Sequence, residues 1–254
     1  MFRGKAQFAA AVLLAALAGC RPTPGAVSGE AATAEVGYVA PPAITAAAPG
    51  EGHVTLSGEA SAGAQIRLAT PGGQALATQA DGEGRWRLRA PTDGQAKIFG
   101  LSAVNAGRRV QAQGYVLVGP RGQTALLRAG AAALRLDRPS GSRISVVDFD
   151  SEGGVLLSGW AAAGTDVAIR LDGHLAGDAR TDDDGRFVYA WPRLSRGSHR
   201  VEATGVAFTD AIAFDITPPA PLVDGPLHSQ LTPQGFRADW LTPGGGVQST
   251  ILAG

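Results

Sequence analysis

A chain of 254 residues is long enough for one large or two ordinary domains. Its 22 basic and 22 acidic residues balance, so the sequence lacks the basic surplus of a nucleic-acid-binding protein. The single cysteine excludes an intramolecular disulfide and a thiolate-rich metal site. Glycine (36 residues) and proline (16 residues) together make up about a fifth of the chain, which favours many turns and short strands.

The amino-terminal segment has the pattern of an export signal. Arg3 and Lys5 form a basic start, and residues 6–17 form an apolar run. At about 12 residues this run is too short to cross a bilayer as a helix. The pattern predicts a signal peptide over residues 1–19. Its removal takes away two of the 22 basic residues and none of the 22 acidic ones, which leaves a formal charge of −2.

The apolar run ends in Leu17-Ala18-Gly19-Cys20, which contains the single cysteine. This sequence resembles the lipobox of bacterial lipoproteins. The resemblance implies that the Cys20 thiol receives a diacylglyceryl group, that the preceding bond is cut, and that the new amino terminus is acylated. Several acyl chains anchor a protein far more strongly than a single chain does. The alternative is an ordinary secretory signal with a coincidental cysteine.

Residues 20–41 are rich in proline and alanine and show no apolar period, which predicts a flexible tether. Such a tether reaches at most ~70 Å when extended. Arg21 follows the cysteine, where an aspartate would favour retention in the inner membrane in enterobacteria-like systems. The resemblance to lipoproteins therefore implies an outer-membrane anchor, with the rest of the chain facing the periplasm.

The remainder of the chain contains an internal repeat. When the sequence is shifted by about 101 residues, segments 53–68 and 154–169 align without a gap, and so do 81–88 and 182–189. In each copy apolar and polar residues alternate, as in strands with one buried face, and turn residues separate the alternating runs. The aligned identities include Val54/Val155, Leu56/Leu157, Ser57/Ser158, Gly58/Gly159, Asp81/Asp182, Gly84/Gly185 and Arg85/Arg186.

A predicted hairpin follows each copy. The first joins residues 115–118 to 124–127, and the second joins 236–241 to 247–252 after a proline-rich linker over 218–234. We assign each hairpin to the copy that precedes it. Residues 129–136 are ambiguous, because alanine favours a helix whereas their position favours a strand.

The order S-G-x-A-x-x-G-x-x-I-x-L over 57–68, followed by D-x-x-G-R-W over 81–86, resembles bacterial immunoglobulin-like domains of surface and envelope proteins. The resemblance implies an all-β chain with two tandem immunoglobulin-like β-sandwiches, which we place at 42–140 and 141–254. The cysteine pair of antibody domains is absent, so only the sandwich architecture is implied. Such modules mostly act as spacers or binding surfaces.

No pattern in the sequence predicts catalytic residues, a metal site or a cofactor. The four histidines are scattered without ligand spacing, and no nucleophile motif is present. The densest carboxylate cluster consists of Asp178, Asp182, Asp183 and Asp184. Whether this cluster binds an ion stays open, because Asp-Gly turns suit hairpins without any ion.

Two features are candidates for ligand binding. Arg85, Arg87 and Arg89 alternate along one predicted strand, and their guanidinium groups suit an anionic glycan or the carboxylates of peptidoglycan stems. A solvated strand face is the simpler interpretation. Trp160 stands where the first copy has Glu59, so we expect it to be exposed and able to stack on a sugar.

Together these patterns predict a non-enzymatic, lipid-anchored protein of the bacterial cell envelope. It would contact the lipid bilayer through acylated Cys20 and present its immunoglobulin-like domains to peptidoglycan or to an envelope partner protein. Two alternatives stay open. One is a surface adhesin or carbohydrate-binding lipoprotein, and the other is an envelope hydrolase whose site is not revealed by known motifs.

Overall fold

The structure is a computed structural model that describes residues 39–141 and 143–254. The predicted signal peptide, Cys20 and the tether up to residue 38 lie outside the described residues. The described residues form strands joined by turns and loops, and residues 39–254 make up one compact unit.

The first half of this unit builds two antiparallel sheets from nine strands. Sheet 1 has the order β1-β2-β5, and sheet 2 has the order β4-β3-β6-β7-β8-β9. The strands are β1 (Ala43–Gly50), β2 (His53–Glu59), β3 (Gln65–Ala69), β4 (Ala75–Gln79), β5 (Arg85–Pro91), β6 (Lys97–Asn105), β7 (Arg108–Val118), β8 (Thr124–Arg128) and β9 (Ala131–Arg135).

The second half of this unit builds two further antiparallel sheets, sheets 3 and 4. Sheet 3 has the order β14-β11-β10-β19-β18-β17, and sheet 4 has the order β13-β12-β15-β16. The strands are β10 (Arg143–Asp150), β11 (Val155–Trp160), β12 (Asp166–Leu171), β13 (His174–Arg180), β14 (Arg186–Trp191), β15 (Gly197–Gly205), β16 (Phe208–Ile216), β17 (Leu227–Thr232), β18 (Gly235–Leu241) and β19 (Val247–Ala253).

The glycine of the repeated Ser-Gly pair makes room for an aromatic ring on the neighbouring strand. Gly58 lies opposite Trp86, and Gly159 lies opposite Phe187. A Cβ atom on Gly58 would lie 2.5 Å from Cζ2 of Trp86 and 2.0 Å from the carbonyl oxygen of Ala43. On Gly159 it would lie 2.4 Å from Cζ of Phe187. The glycine and the aromatic residue are therefore one packing unit in each copy.

Three apolar cores lie between the four sheets. The first fills the space between sheets 1 and 2, and the second fills the space between sheets 3 and 4. The third core, which we call the shared core, joins sheet 2 to sheet 3. Its buried members are Ile98, Leu117, Ala125, Leu127 and Ala133 from sheet 2, and Val146, Phe236, Ala238, Trp240 and Leu252 from sheet 3.

Strands next to the shared core are buried on both faces. On β7, Val116 and Val118 belong to the first core, whereas Leu117 between them belongs to the shared core. On β10, Val147 belongs to the second core, whereas Val146 belongs to the shared core. Because side chains alternate along a strand, each of these strands contributes to two apolar layers at once.

The predicted all-β fold with two tandem β-sandwiches is confirmed. Both predicted hairpins are present, as β7–β8 and β18–β19. The first lies in sheet 2 of the first half, and the second lies in sheet 3 of the second half. The ambiguous segment 129–136 contains strand β9, and the proline-rich stretch 218–234 contains strand β17. The proposed boundary between residues 140 and 141 falls in the loop between β9 and β10.

Candidate functional site

The three candidate arginines lie together on the outer face of β5. Arg85, Arg87 and Arg89 are exposed and alternate with Trp86 and Leu88, which are buried in the first core. Strand β5 is at the edge of sheet 1, and among the described strands it pairs with β2 alone. We call Arg85, Arg87 and Arg89 the arginine row.

The side chain of Arg85 is paired with carboxylates of the turn that precedes β5. Its Nε atom donates to Oδ2 of Asp81 at 3.2 Å, and its Nη2 atom donates to Oε2 of Glu83 at 3.0 Å. The backbone N–H of Arg85 donates to Oδ1 of Asp81 at 2.8 Å. This backbone hydrogen bond, helped by the guanidinium charge, lowers the pKa of Asp81. Arg85 is therefore partly neutralised and acts as part of the turn.

Arg87 and Arg89 have no ion pair within the part of the chain that the structure describes. They lie opposite Ser57 and Thr55 on β2. These small side chains leave the two guanidinium groups open to solvent. Of the arginine row, Arg87 and Arg89 are thus the two cations available to an external anion.

Trp160 lies elsewhere and is only half-exposed. It ends β11 in sheet 3, and the Cζ atom of Arg138 sits 3.8 Å from the centroid of its ring. A guanidinium at this distance makes a cation–π contact and covers one ring face. The structure therefore does not bring Trp160 together with the arginine row, which lies in sheet 1.

A buried polar cluster crosses from sheet 3 to sheet 2. The fully buried carboxylate of Asp148 accepts the backbone N–H of Ala133 through Oδ2 at 2.7 Å. Its Oδ1 atom accepts the hydroxyl of Thr250 at 2.5 Å and the side-chain amide of Gln248 at 3.4 Å. Burial raises the pKa of Asp148 to about 6, although these hydrogen bonds act in the opposite direction.

Two more side chains of sheet 3 reach the same strand. Ser158 Oγ donates to the carbonyl oxygen of Ala133 at 3.3 Å, and Arg186 Nη2 donates to that of Ala132 at 3.2 Å. Strand β9 is an edge strand of sheet 2, so the backbone groups on its free side need partners from outside the sheet. We call the contacts of Asp148, Ser158 and Arg186 with β9 the joint clasp.

Further buried polar groups lie within sheet 3 and between sheets 2 and 3. Within sheet 3, Arg237 donates through Nε to Oδ1 of Asp239 at 2.9 Å, and Ser249 Oγ donates to the same oxygen at 2.6 Å. Arg135 of β9 pairs with Asp137 at 3.0 Å and donates to the carbonyl oxygen of Ala253 in sheet 3. Because buried charges are costly unless they are paired, the contact between Arg135 and Ala253 favours one specific arrangement of the two halves.

Sequence reasoning missed the joint clasp, although the repeat carried a signal for it. By strand register, Asp148 opposite Leu156 corresponds to Ala48 opposite Thr55. A carboxylate thus replaces an exposed alanine within an otherwise apolar strand. A charged residue at such a position indicates that this face is covered by a polar partner.

Of the acidic cluster, residues 182–184 form a turn, whereas Asp178 lies in strand β13. Oδ1 of Asp182 accepts the backbone N–H groups of Asp184 at 3.1 Å and of Arg186 at 2.7 Å. Asp81 makes the corresponding bonds in the first copy. In residues 39–141 and 143–254, no group of three or more His, Cys, Asp or Glu side chains is placed to hold a metal ion.

His199 is a histidine whose two ring nitrogens both have hydrogen-bond partners. Its Nδ1 atom lies 2.8 Å from Oδ2 of Asp172, and its Nε2 atom lies 2.9 Å from the carbonyl oxygen of Ser195. Burial of the ring disfavours its charge, but these two acceptors raise the pKa of His199 overall. Both ring nitrogens face acceptors, so His199 serves as a structural link and offers no free nitrogen for general base catalysis.

The described residues contain no helix with the length and apolar character needed to cross a membrane. No protein-family model and no curated protein sequence matches the chain. Among solved structures, the chain is similar to a biofilm associated protein's BSP domain, at 12% identity and a TM-score of 0.23. That match covers 71% of this chain and 30% of the other, so the chain spans about a third of that structure.

Two further solved structures show a similar level of likeness. The D0-D1 domain of intimin is 13% identical with a TM-score of 0.26, over 70% of this chain and 98% of that one. Invasin, described as a bacterial integrin-binding protein, is 11% identical with a TM-score of 0.22, over 85% of this chain and 54% of that one. At these TM-scores the likeness carries no argument about function.

Proposed function

We propose that the protein is a non-enzymatic, lipid-anchored component of the bacterial cell envelope. It holds two immunoglobulin-like sandwiches as one rigid body and presents them to peptidoglycan or to an envelope partner protein. The observation that carries this proposal is the joint between the two halves. A spacer or presenting module needs fixed geometry between its units, and this joint supplies it.

The joint supports rigidity through two kinds of contact. The shared core contributes ten buried apolar side chains, five from each half. The joint clasp adds hydrogen bonds between the β9 backbone and three side chains: Asp148 accepts the Ala133 N–H, and Ser158 and Arg186 donate to carbonyl oxygens. Tandem modules that move freely bury little surface between them. Here, separation would expose an apolar core and remove the Ala133 N–H from the buried carboxylate of Asp148.

The anchor is tested in cells with the full chain. Wild-type protein and a Cys20→Ala variant are labelled with a palmitate analogue and fractionated, and Ser28→Ala in the tether serves as control. We expect label and membrane association in wild type and Ser28→Ala, and loss of both in Cys20→Ala. Undiminished labelling of Cys20→Ala would overturn the lipid anchor.

The envelope role is tested by crosslinking in intact cells, followed by identification of the captured component. Capture of peptidoglycan or of an envelope protein supports the proposal. Cleavage of the protein by protease added to intact cells would instead indicate the surface adhesin. Turnover of a peptidoglycan or ester substrate by the purified Cys20→Ala chain would overturn the non-enzymatic assignment.

A further inference from the structure

The outer faces of sheets 1 and 3 are corresponding surfaces of the repeat with different surroundings. Ser57 corresponds to Ser158, and Arg85 corresponds to Arg186. In sheet 3, Ser158 and Arg186 bond the backbone of strand β9. In sheet 1, the corresponding face is open in the described part of the chain. The outer face of sheet 3 is thus already covered by a strand, β9, from the other half of the chain.

The open face of sheet 1 carries small side chains beside the arginine row. Ala46, Ala48, Thr55 and Ser57 supply the small side chains. The arginine row borders them along the edge strand β5. The exposed carboxylate of Glu59 lies opposite Arg85, at the end of the row that the turn already occupies.

The backbone of β5 offers unpaired groups at the positions of the free arginines. The N–H of Arg85 donates to Asp81, and its C=O accepts the N–H of Asp81 at 2.8 Å, so both groups point away from β2. In an antiparallel strand, every second residue directs its N–H and C=O to the same side. The N–H and C=O groups of Arg87 and Arg89 therefore also point outward, where no described strand pairs with them.

We propose that β5 binds an extended acidic peptide segment of a partner protein by strand addition, with Arg87 and Arg89 pairing carboxylates at alternate positions of that segment. This inference rests on the proposed binding role of the protein and names the chemistry of one partner. The added strand hydrogen-bonds to the outward backbone groups of both residues. Residues opposite Arg87 and Arg89 project on the same face as the arginines, within cross-strand contact.

The same arginines select the occupant. A second copy of β5 would place arginine opposite arginine, which is unfavourable. A neutral strand would gain the backbone bonds without the ion pairs. The corresponding edge strand of the second sandwich, β14, carries Val188 and Ala190 in place of Arg87 and Arg89 and so lacks this selectivity.

The test uses the full chain with Cys20→Ala and a capped seven-residue peptide of alternating threonine and glutamate. Binding is followed by fluorescence anisotropy of a labelled peptide, and hydrogen exchange reports the individual amides. We expect the Arg87 and Arg89 amides to gain protection on binding. We expect the double variant Arg87→Gln/Arg89→Gln to bind about fivefold more weakly, from two exposed cross-strand pairs.

Matched variants separate strand addition from general charge attraction. Arg193→Gln/Arg196→Gln removes two other exposed arginines and should leave the affinity unchanged. Arg87→Lys/Arg89→Lys keeps both positive charges and should retain most of the binding. A peptide with glutamine in place of glutamate should bind wild type as weakly as the glutamate peptide binds Arg87→Gln/Arg89→Gln.

Equal weakening by both double glutamine variants, or binding without protection of the Arg87 and Arg89 amides, would overturn strand addition. Binding without protection of these amides would mean that the arginine side chains alone attract the anion. An anionic polymer such as a glycan would then be the better candidate for this face. Absence of any peptide binding would also overturn the inference. It would leave the anchored presenting role standing, because fractionation and crosslinking test that role independently.

Discussion

The buried carboxylate of Asp148 makes the stability of the joint depend on pH. Its pKa is raised from 3.8 to about 6 because burial disfavours the charged form. Between these two values the folded chain binds more protons at this site than the unfolded chain. The free energy of unfolding therefore falls as pH rises from about 4 to about 6 and levels off above that range.

The size of this effect follows from the shift in pKa. A difference of about two units corresponds to about 3 kcal/mol, at about 1.4 kcal/mol per unit. Asp148→Asn removes the titration and can keep the hydrogen bonds to Ala133 and Thr250, with the donor reversed at Thr250. The asparagine oxygen can accept the N–H of Ala133, and its amide can donate to Thr250, whose hydroxyl also accepts Nε1–H of Trp240 at 3.2 Å. We expect the variant to be at least as stable as wild type near pH 7.

The assay is urea denaturation of the Cys20→Ala chain at several pH values from about 4 to about 8, with and without Asp148→Asn. The difference between the two stability curves isolates Asp148 from other titrating groups. Asp183→Asn makes the same substitution in an exposed turn and is the matched control. The reasoning is refuted if the wild-type and Asp148→Asn curves are also parallel, because Asp148 would then have an ordinary pKa in the folded chain.

Three further predictions concern packing and a second titrating group. Trp240→Ala should lower the free energy of unfolding by about 3–5 kcal/mol in urea denaturation, because the ring is fully buried in the shared core. Gly58→Ala should cost about 1–3 kcal/mol, read as a lower melting temperature, because its Cβ atom would collide with Trp86. His199→Gln should destabilise the chain below about pH 6 and have little effect near pH 9. The raised pKa of His199 means that its link to Asp172 stabilises the fold only while the ring is protonated.

Each of these predictions has a control at a site without the relevant contact. Val223→Ala removes an exposed apolar side chain and should leave the stability unchanged. Gly82→Ala adds a Cβ atom with nothing within 4 Å and should be neutral. His53→Gln is the matched histidine substitution outside this contact. A separate melting transition for each sandwich in Trp240→Ala would contradict the single-body description, and a neutral Gly58→Ala would contradict the ring-packing argument.

The strands and sandwiches were predictable because their signals are local. Alternating residues in β5 report one buried and one exposed face, and the Asp81 turn repeats at Asp182 with the same hydrogen bonds. The arginine row was placed correctly for the same reason. Trp160 was expected to be exposed, but its covering partner, Arg138, lies in a loop that the strand pattern does not describe.

The joint was not predictable from the periodicity of the sequence. Periodicity does not show whether the outer face of a sheet is covered by the neighbouring sandwich. Strand β10 reads as a mainly apolar run interrupted by Ser145 and Asp148, and such a run is compatible with a core strand of one sandwich or with a strand between two cores. Which alternative holds depends on residues about a hundred positions away, such as Trp240 and Leu252 in β18 and β19.

Strand β9 shows how this distant packing overrides local preference. Alanine-rich sequence favours a helix, yet Ala132 and Ala133 are buried in a strand. Their backbone groups are satisfied by Asp148, Ser158 and Arg186, so the clasp needs small side chains and an extended backbone at these positions. A helix would turn the Ala133 N–H inward and leave Asp148 buried without this donor. The segment is thus a strand because its neighbour requires one, and its alanines are there because a larger side chain would hold the two sheets apart.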